Sequence, residues 1–329
     1  LAAKLVFLNQ YTMKQKSIST AIGCFLICCA CSRQVSDEAF AQESISQDCP
    51  KTLSINELLF DPLSDGVDYV ELVNVSSDSL NLLHYCLGNR NSKAEIANVK
   101  SLPSVFVPPG GYVLICSDMV WVSANYHLPD TARVAIVKAL PSYANAGGSV
   151  VLLNTNGDLV DEFAYHPDYH HPLVSDAESL SLEKLHPALS SYDAMSWTSA
   201  AVDAGGGTPG FRNSQFRPNA VASGPDGKEG FSLLQEQCRP AAFSADAQVL
   251  MSYRFDEPRV ADIRVYDLDG VLCKSLANNI LLGSEGIFAW HGTDDAGEAV
   301  FPGMYIVSIQ AFSLHGDVYS KSFAVGVLP

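Results

Sequence analysis

From Thr52 onward the apolar residues of this chain come in short runs, and turn-forming residues close nearly every run. Leu53, Ile55, Glu57 and Leu59 open the first, which Asp61-Pro62 and Ser64-Asp65-Gly66 break. Tyr69–Val73 follows and ends at Asn74–Ser79. Leu80–Leu87 ends at Gly88-Asn89, and Pro108-Pro109-Gly110-Gly111 turns the chain into Tyr112–Cys116. Ala132–Val137 is a further candidate. Ser149–Leu153 and Leu159–Tyr165 flank Asn154-Thr155-Asn156-Gly157-Asp158, where Asn-Gly tolerates the positive φ of a tight hairpin. Leu180–Glu183 alternates like a closing strand. Runs of this length and spacing predict strands, and no long stretch carries a helical period. Such strands must bury a face against another sheet, so the fold class expected is an all-β sandwich.

With 329 residues the chain is long enough for two domains. Gly205-Gly206-Gly207-Thr208-Pro209-Gly210 closes the first strand series, and residues 214–230 read as a polar, Pro- and Gly-bearing linker. A second series follows over 231–329. Its members are Val249–Phe255, Ala261–Tyr266, Val271–Leu276, Gly286–Trp290, Gly303–Ile309 and Tyr319–Val325. The expected order is a leader over 1–41, a sandwich over 52–213, the linker, and a second sandwich over 231–329.

Met13-Lys14-Gln15-Lys16 before apolar Ile22–Ala30 has the form of a signal peptide, and the run is too short to span a bilayer. Two processing routes fit. Ala39-Phe40-Ala41 offers cleavage before Gln42. Alternatively Cys31, with Ala30 before it, would be lipidated, although Cys28 stands where a lipobox usually has Leu. Export to the cell envelope or the medium is the expectation, with membrane contact only through a lipid anchor. Cys49, Cys86, Cys116, Cys238 and Cys273 follow the leader, match no zinc spacing, and cannot all pair within one chain.

The net charge of −16 repels phosphate backbones and argues against nucleic-acid partners. At 47% hydrophobic and 17% charged residues, the chain has apolar material for real cores. No G-x-S-x-G, Walker A loop or G-x-G-x-x-G after a strand occurs. The strongest candidate chemistry lies in His166-Pro167-Asp168-Tyr169-His170-His171. An extended chain there would point His166, Asp168 and His170 to one face as metal ligands, with Glu183 or His186 adding a fourth. Pro167 and Pro172 argue for a surface loop instead, so no metal, cofactor or catalytic residue is assigned. Glu57, Asp61, Asp65, Asp68 and Glu71 form an acidic cluster in sequence, read as a solvated edge with turn caps.

Ile55-Asn56-Glu57-Leu58-Leu59-Phe60-Asp61-Pro62, then Asp68-Tyr69-Val70-Glu71-Leu72 and Asn74, resemble the opening of a bacterial lamin-tail domain. Gly111–Leu114, the hairpin from Gly148 to Tyr165, Ser179–Glu183, Trp197 and Thr208-Pro209-Gly210 continue the likeness over Leu53 to Asn213. The resemblance implies an immunoglobulin-like sandwich used for binding or accessory roles in secreted bacterial proteins, without catalytic residues. The second series is similar to the Ig-like domain of flagellar-hook assembly proteins. Ala261–Leu268, Gly270, Leu282-Gly283, Phe288-Ala289-Trp290, Gly292–Asp295, Gly297 and Gly303-Met304-Tyr305 carry that likeness. Relatives often bear a loop after an F-S-P motif. Here Phe243-Ser244-Ala245 is followed by no such loop, which leaves any cation binding that depends on it unsupported.

The fold expected is therefore two Ig-like β-sandwich domains in tandem after a signal segment. The function expected is a non-enzymatic binding or scaffold protein of the envelope or exterior, its partner an unidentified protein or polysaccharide. Two alternatives stand beside it: a divalent-metal hydrolase, or its accessory fragment, built on His166–His171, and a C-terminal module that acts mainly as an export or anchoring signal.

Overall fold

Strands supply nearly all the regular structure in the computed structural model, which describes residues 52–218, 229–240 and 248–329. The expected leader with Cys31 and its cleavage site, most of the expected linker, and Phe243–Ala247 lie outside the described residues.

The first strand series comprises β1 (Leu53–Leu59), β2 (Tyr69–Asn74), β3 (Leu80–Asn81), β4 (Tyr85–Arg90), β5 (Ile96–Ser101), β6 (Phe106–Val107), β7 (Tyr112–Cys116), β8 (Val134–Ile136), β9 (Gly148–Asn154), β10 (Leu159–Tyr165), β11 (Leu182–Lys184) and β12 (Trp197–Ser199). Six of them form one sheet in the order β12-β11-β1-β2-β7-β8. Four form a second sheet, β10-β9-β4-β5. Leu53, Ile55, Leu58, Val70, Leu72, Leu87, Val113, Val150, Leu152, Phe163 and Trp197 belong to one buried cluster contributed by both sheets.

The outer face of the six-stranded sheet is covered as well. A short helix, α1 (Met119–Asn125), starts at Asp118, whose carboxylate caps the amides of Val120 and Trp121. Its Val122 and the following Tyr126 pack with Leu59, Tyr69, Leu114 and Cys116. Burial on both faces explains why β1 and β2 are buried at every position instead of at alternate ones.

The hairpin read from Asn-Gly is present: β9 and β10 pair antiparallel, Gly157 has φ +91°, and the Asn154 side-chain oxygen accepts from the amides of Asn156 and Asp158. The run expected as one strand over Leu80–Leu87 is interrupted. Asn81 caps a 3-10 turn at Leu82–His84 by accepting from the Leu83 amide, an Asx arrangement that competes with sheet pairing.

The second series comprises β13 (Gly230–Gln235), β14 (Gln237–Cys238), β15 (Val249–Arg254), β16 (Val260–Tyr266), β17 (Leu272–Leu281), β18 (Glu285–Trp290), β19 (Gly303–Phe312) and β20 (Val318–Val327). Sheets β13-β15-β18 and β14-β20-β19-β16-β17 share a separate core that includes Phe231, Met251, Tyr253, Ile263, Val265, Trp290, Val307 and Ile309. β15 alternates strictly between buried and half-buried positions, the period-2 pattern of a strand with one face on a core.

Residues 214–217, placed by composition at the start of a linker, are packed: Gln215 is fully buried and Arg217 nearly so. The Gln215 side-chain amide donates to the Leu282 carbonyl (3.0 Å), the Ser284 amide to the Ser214 carbonyl (2.8 Å), and Arg217 Nη1 to the Phe255 carbonyl (2.9 Å). Residues 214–217 thus form a joint that both sandwiches hold.

Candidate functional site

A bulge in β1 creates the main polar feature of the molecule. Ile55 pairs with Leu72 and Glu57 with Glu71, so Asn56 is the extra residue. Glu57 also pairs with Glu183 on the other side. Three glutamates therefore stand in a row across β2, β1 and β11, and all three are fully buried. Like charges directly opposite one another destabilise a sheet, and burial worsens the effect. Something must compensate.

The compensation comes from the irregular segment 207–215, which lies along the row. Glu57 Oε1 accepts from the Tyr69 hydroxyl (2.6 Å), the Ser181 hydroxyl (2.6 Å) and the Thr208 amide (2.9 Å). Glu71 accepts from the Asn56 side chain (2.9 Å) and the Gly210 amide (2.5 Å). Glu183 Oε2 accepts from the Ser214 hydroxyl and the Gln215 amide, both at 2.8 Å. Asn213 adds contacts of its own side chain to the Asn56 and Lys184 carbonyls. Three backbone amides of a segment with no sheet partner are satisfied this way. Gly207 has to be glycine, because a Cβ there would meet the Tyr69 hydroxyl and Glu57 Oε1.

The geometry of the row also suits a shared proton. The Thr208 hydroxyl lies 3.1 Å from Glu57 Oε2 and 2.8 Å from Glu183 Oε1. A hydroxyl has one proton to give. If it donates to one carboxyl oxygen, it must accept from the other, which then carries a proton. Burial raises all three carboxyls, with Glu57 adding repulsion at Glu71 and Glu183, and Glu183 is pushed up to about 7.

A second buried nexus ties the two sheets together. Lys184 Nζ donates to the hydroxyls of Ser54 (2.8 Å) and Ser191 (2.6 Å) and lies 5.5 Å from the centre of the Trp197 ring. Asp161 Oδ2, from the opposite sheet, accepts from the Ile55 amide, Ser54 and Ser191. Trp197 stacks on Phe163 at 3.6 Å and donates to the Ser191 carbonyl.

The histidine loop does not have the geometry of an extended ligand set. A 3-10 turn over Pro167–Tyr169 breaks the alternation. His166 and Asp168 stay exposed and contact each other at 3.2 Å, whereas His170 and His171 turn inward around the Ser199 hydroxyl. Burial pulls both inward imidazoles down to about 4, with Arg217 adding repulsion at His171. Glu183 lies in the carboxylate row, and His186 stacks on Phe216 at 5.1 Å. Among the described residues no three His, Cys, Asp or Glu side chains are grouped to hold a metal ion.

The acidic cluster read as a solvated edge is split by the fold. Glu57 and Glu71 go inside, because the bulge and the covered outer face leave them no solvent. Asp65 sits at an exposed turn with φ +66°. Burial, then the charge of Asp61, raises Asp68 to about 7. The sequence reading missed the row because it shows only when β11 is placed beside β1. Its signal was Thr208-Pro209-Gly210, read as a closing motif.

On the surface, β5 and β8 are the edge strands of their sheets among the described residues. Residues 99–103 and 136–139 line a groove of about 710 Å³ between them, with Val99 and Ile136 exposed and Lys100 and Lys138 beside them.

No family model matches the chain, and no curated protein matches it. Similar solved structures include FlgD from P. aeruginosa, 19% identical over 25% of this chain and 63% of that one, with a TM-score of 0.21. Latent PorU from Porphyromonas gingivalis is 10% identical over 88% of this chain and 21% of that one (TM-score 0.24). PorZ from Porphyromonas gingivalis is 10% identical over 84% and 39% (TM-score 0.25). The chain spans less than two thirds of each, and at such scores none bears on what it does.

Proposed function

We propose that this protein is an exported, non-enzymatic binding or scaffold protein of a bacterial envelope or its surroundings, and that the first sandwich is its binding module. The observation that carries this reading is where the reactive side chains go. Glu57, Glu71, Glu183, Lys184, Asp161, His170 and His171 are buried, and the contacts above join strands, loops and the joint through them. The motif residues Glu57, Glu71 and Thr208, which carry the lamin-tail resemblance, are members of the carboxylate row, so they are accounted for as determinants of the fold.

The open surface fits a polypeptide partner. The outer edges of β5 and β8 present backbone donors and acceptors, and their exposed Val99 and Ile136 offer apolar contact. An extended segment can add to such an edge by main-chain hydrogen bonding. Lys100 and Lys138 favour a segment with acidic flanks.

The test places a photo-crosslinking residue at Val99 or Ile136, and at exposed Ser190 as control, in the producing cells. Crosslinking to a partner polypeptide from the two edge positions alone is expected. Labelling no stronger than at Ser190 overturns the assignment of the groove. Mass spectrometry of the mature protein tests export, with a start at Gln42 or at lipid-modified Cys31 expected. An intact leader on cytosolic protein overturns it.

A further inference from the structure

At the joint, a small cavity of about 130 Å³ is walled by Arg212 and Arg217 from the connecting segment, Arg254 and Asp256 at the end of β15, and Ser284 and Glu285 at the start of β18. Three guanidiniums face two carboxylates there.

Arg217 is the unusual member. It is 8% exposed, and its hydrogen bonds go to neutral acceptors, Nη1 to the Phe255 carbonyl and Nη2 to the Gln215 side-chain oxygen, both at 2.9 Å. Its Nε is buried without a partner among the described residues. Burial pulls its pKa down to about 10, so the group is still a cation at neutral pH. The acids that act on it, Asp256 first, have other partners. Glu183 is held by Ser214 and Gln215, Glu257 contacts Arg259 at 2.7 Å, and Glu229 accepts from the Asp256 amide. Asp256 stands 4.0 Å from Arg254, and Glu285 pairs with Arg212 at 2.5 Å. A buried cation without a counter-ion in contact is costly, and a guanidinium with a free Nε–H offers a donor suited to an oxygen anion.

We propose that this cavity is a binding site for a small tetrahedral oxoanion of the phosphate or sulfate class, held by Arg217 with Arg212 and Arg254. The three arginines approach from separate positions, which suits an anion that accepts in several directions better than a planar carboxylate, which a single guanidinium fork can serve. The cavity volume admits a small anion and excludes a nucleotide. Arg212 and Arg254 are half exposed and give the site an opening to solvent. Because Arg217 belongs to the joint and Arg254 to the second sandwich, a bound anion fastens one to the other.

The test is isothermal titration of the whole protein with inorganic phosphate, sulfate and acetate, with thermal unfolding against chloride at matched ionic strength. One site for phosphate or sulfate and a rise in Tm beyond chloride are expected. Arg217→Lys, which keeps the charge and loses the fork, and Arg254→Gln at the half-exposed wall should each weaken binding about tenfold or more, the loss expected for a hydrogen bond to a charged group. Acetate binding as tightly as phosphate overturns the tetrahedral assignment. Absence of heat and of any shift beyond chloride, or binding unchanged in folded Arg254→Gln, overturns the site.

Discussion

Replacing Glu183 by Gln tests whether the buried glutamate row shares a proton. In the wild type the Thr208 hydroxyl sits between Glu57 Oε2 and Glu183 Oε1, and Ser214 and Gln215 donate to the other Glu183 oxygen. A glutamine fits the same pattern. Its amide oxygen accepts from Ser214 and Gln215, and its NH₂ donates to Thr208, which is then free to donate to Glu57. The variant is a permanent copy of the protonated glutamate.

The sign of the effect follows from linkage. The Glu183 carboxyl is raised from 4.5 to about 7, first by burial and then by Glu57. The folded state therefore binds the proton more tightly than the unfolded chain does. The resulting stability is fully present below the unfolded value and is lost as pH rises through the folded one. At roughly 1.4 kcal/mol per pH unit of displacement, the loss is about 3 kcal/mol, shared among coupled neighbours. Glu183→Gln should match the wild type near pH 4.5 and exceed it by about that amount above pH 7. Urea unfolding of both proteins at several values across this window measures the difference. A difference that stays flat with pH, or a variant less stable at every pH, would show that no proton is shared along the row.

His170 and His171 act in the opposite direction. Their imidazoles are lowered from 6.5 to about 4, so the stability they bring is present above the unfolded value and is lost as pH falls toward 4; proton NMR should show both rings neutral until that range. Trp197→Ala removes the stack on Phe163 and the hydrogen bond to Ser191, and should cost about 3–5 kcal/mol in denaturant unfolding. Gly207→Ala should lower Tm and weaken the pH dependence of stability, since its Cβ displaces the Tyr69 hydroxyl from Glu57; an unchanged profile would show that the segment tolerates movement off the row.

The sheets were legible where local chemistry decides structure. Asn156-Gly157 announced the hairpin, and Pro108-Pro109-Gly110-Gly111 announced the entry to β7, because turn residues act within a few positions of themselves. The row was not legible for two physical reasons. The bulge at Asn56 shifts the side-chain parity of β1 without any marker in the composition, and Glu183 comes beside Glu57 only through pairing over more than a hundred residues. The same holds for Ser214–Arg217. Polar residues near Pro and Gly read as a linker by composition. Only their long-range partners, Glu183, Leu282 and Phe255, show that they are interior.

This bears on where the first sandwich ends as a folding unit. A fragment of 52–213 retains every strand of both its sheets but omits Ser214 and Gln215, which together supply both donors to Glu183 Oε2. A fragment of 52–218 keeps them. Hydrogen bonds to a charged buried group contribute roughly 1.5–3 kcal/mol each, so the longer fragment should be more stable by about 3 kcal/mol or more above pH 7, where Glu183 is ionised. The gap should narrow in acid, where protonation of Glu183 reduces its need for donors. Arg217 has the opposite consequence: cut away from Phe255, it is left as a solvated cation and should cost nothing. Equal stability of the two fragments above pH 7 would mean that Glu183 finds water in place of the joint. The joint would then serve the second sandwich rather than complete the first.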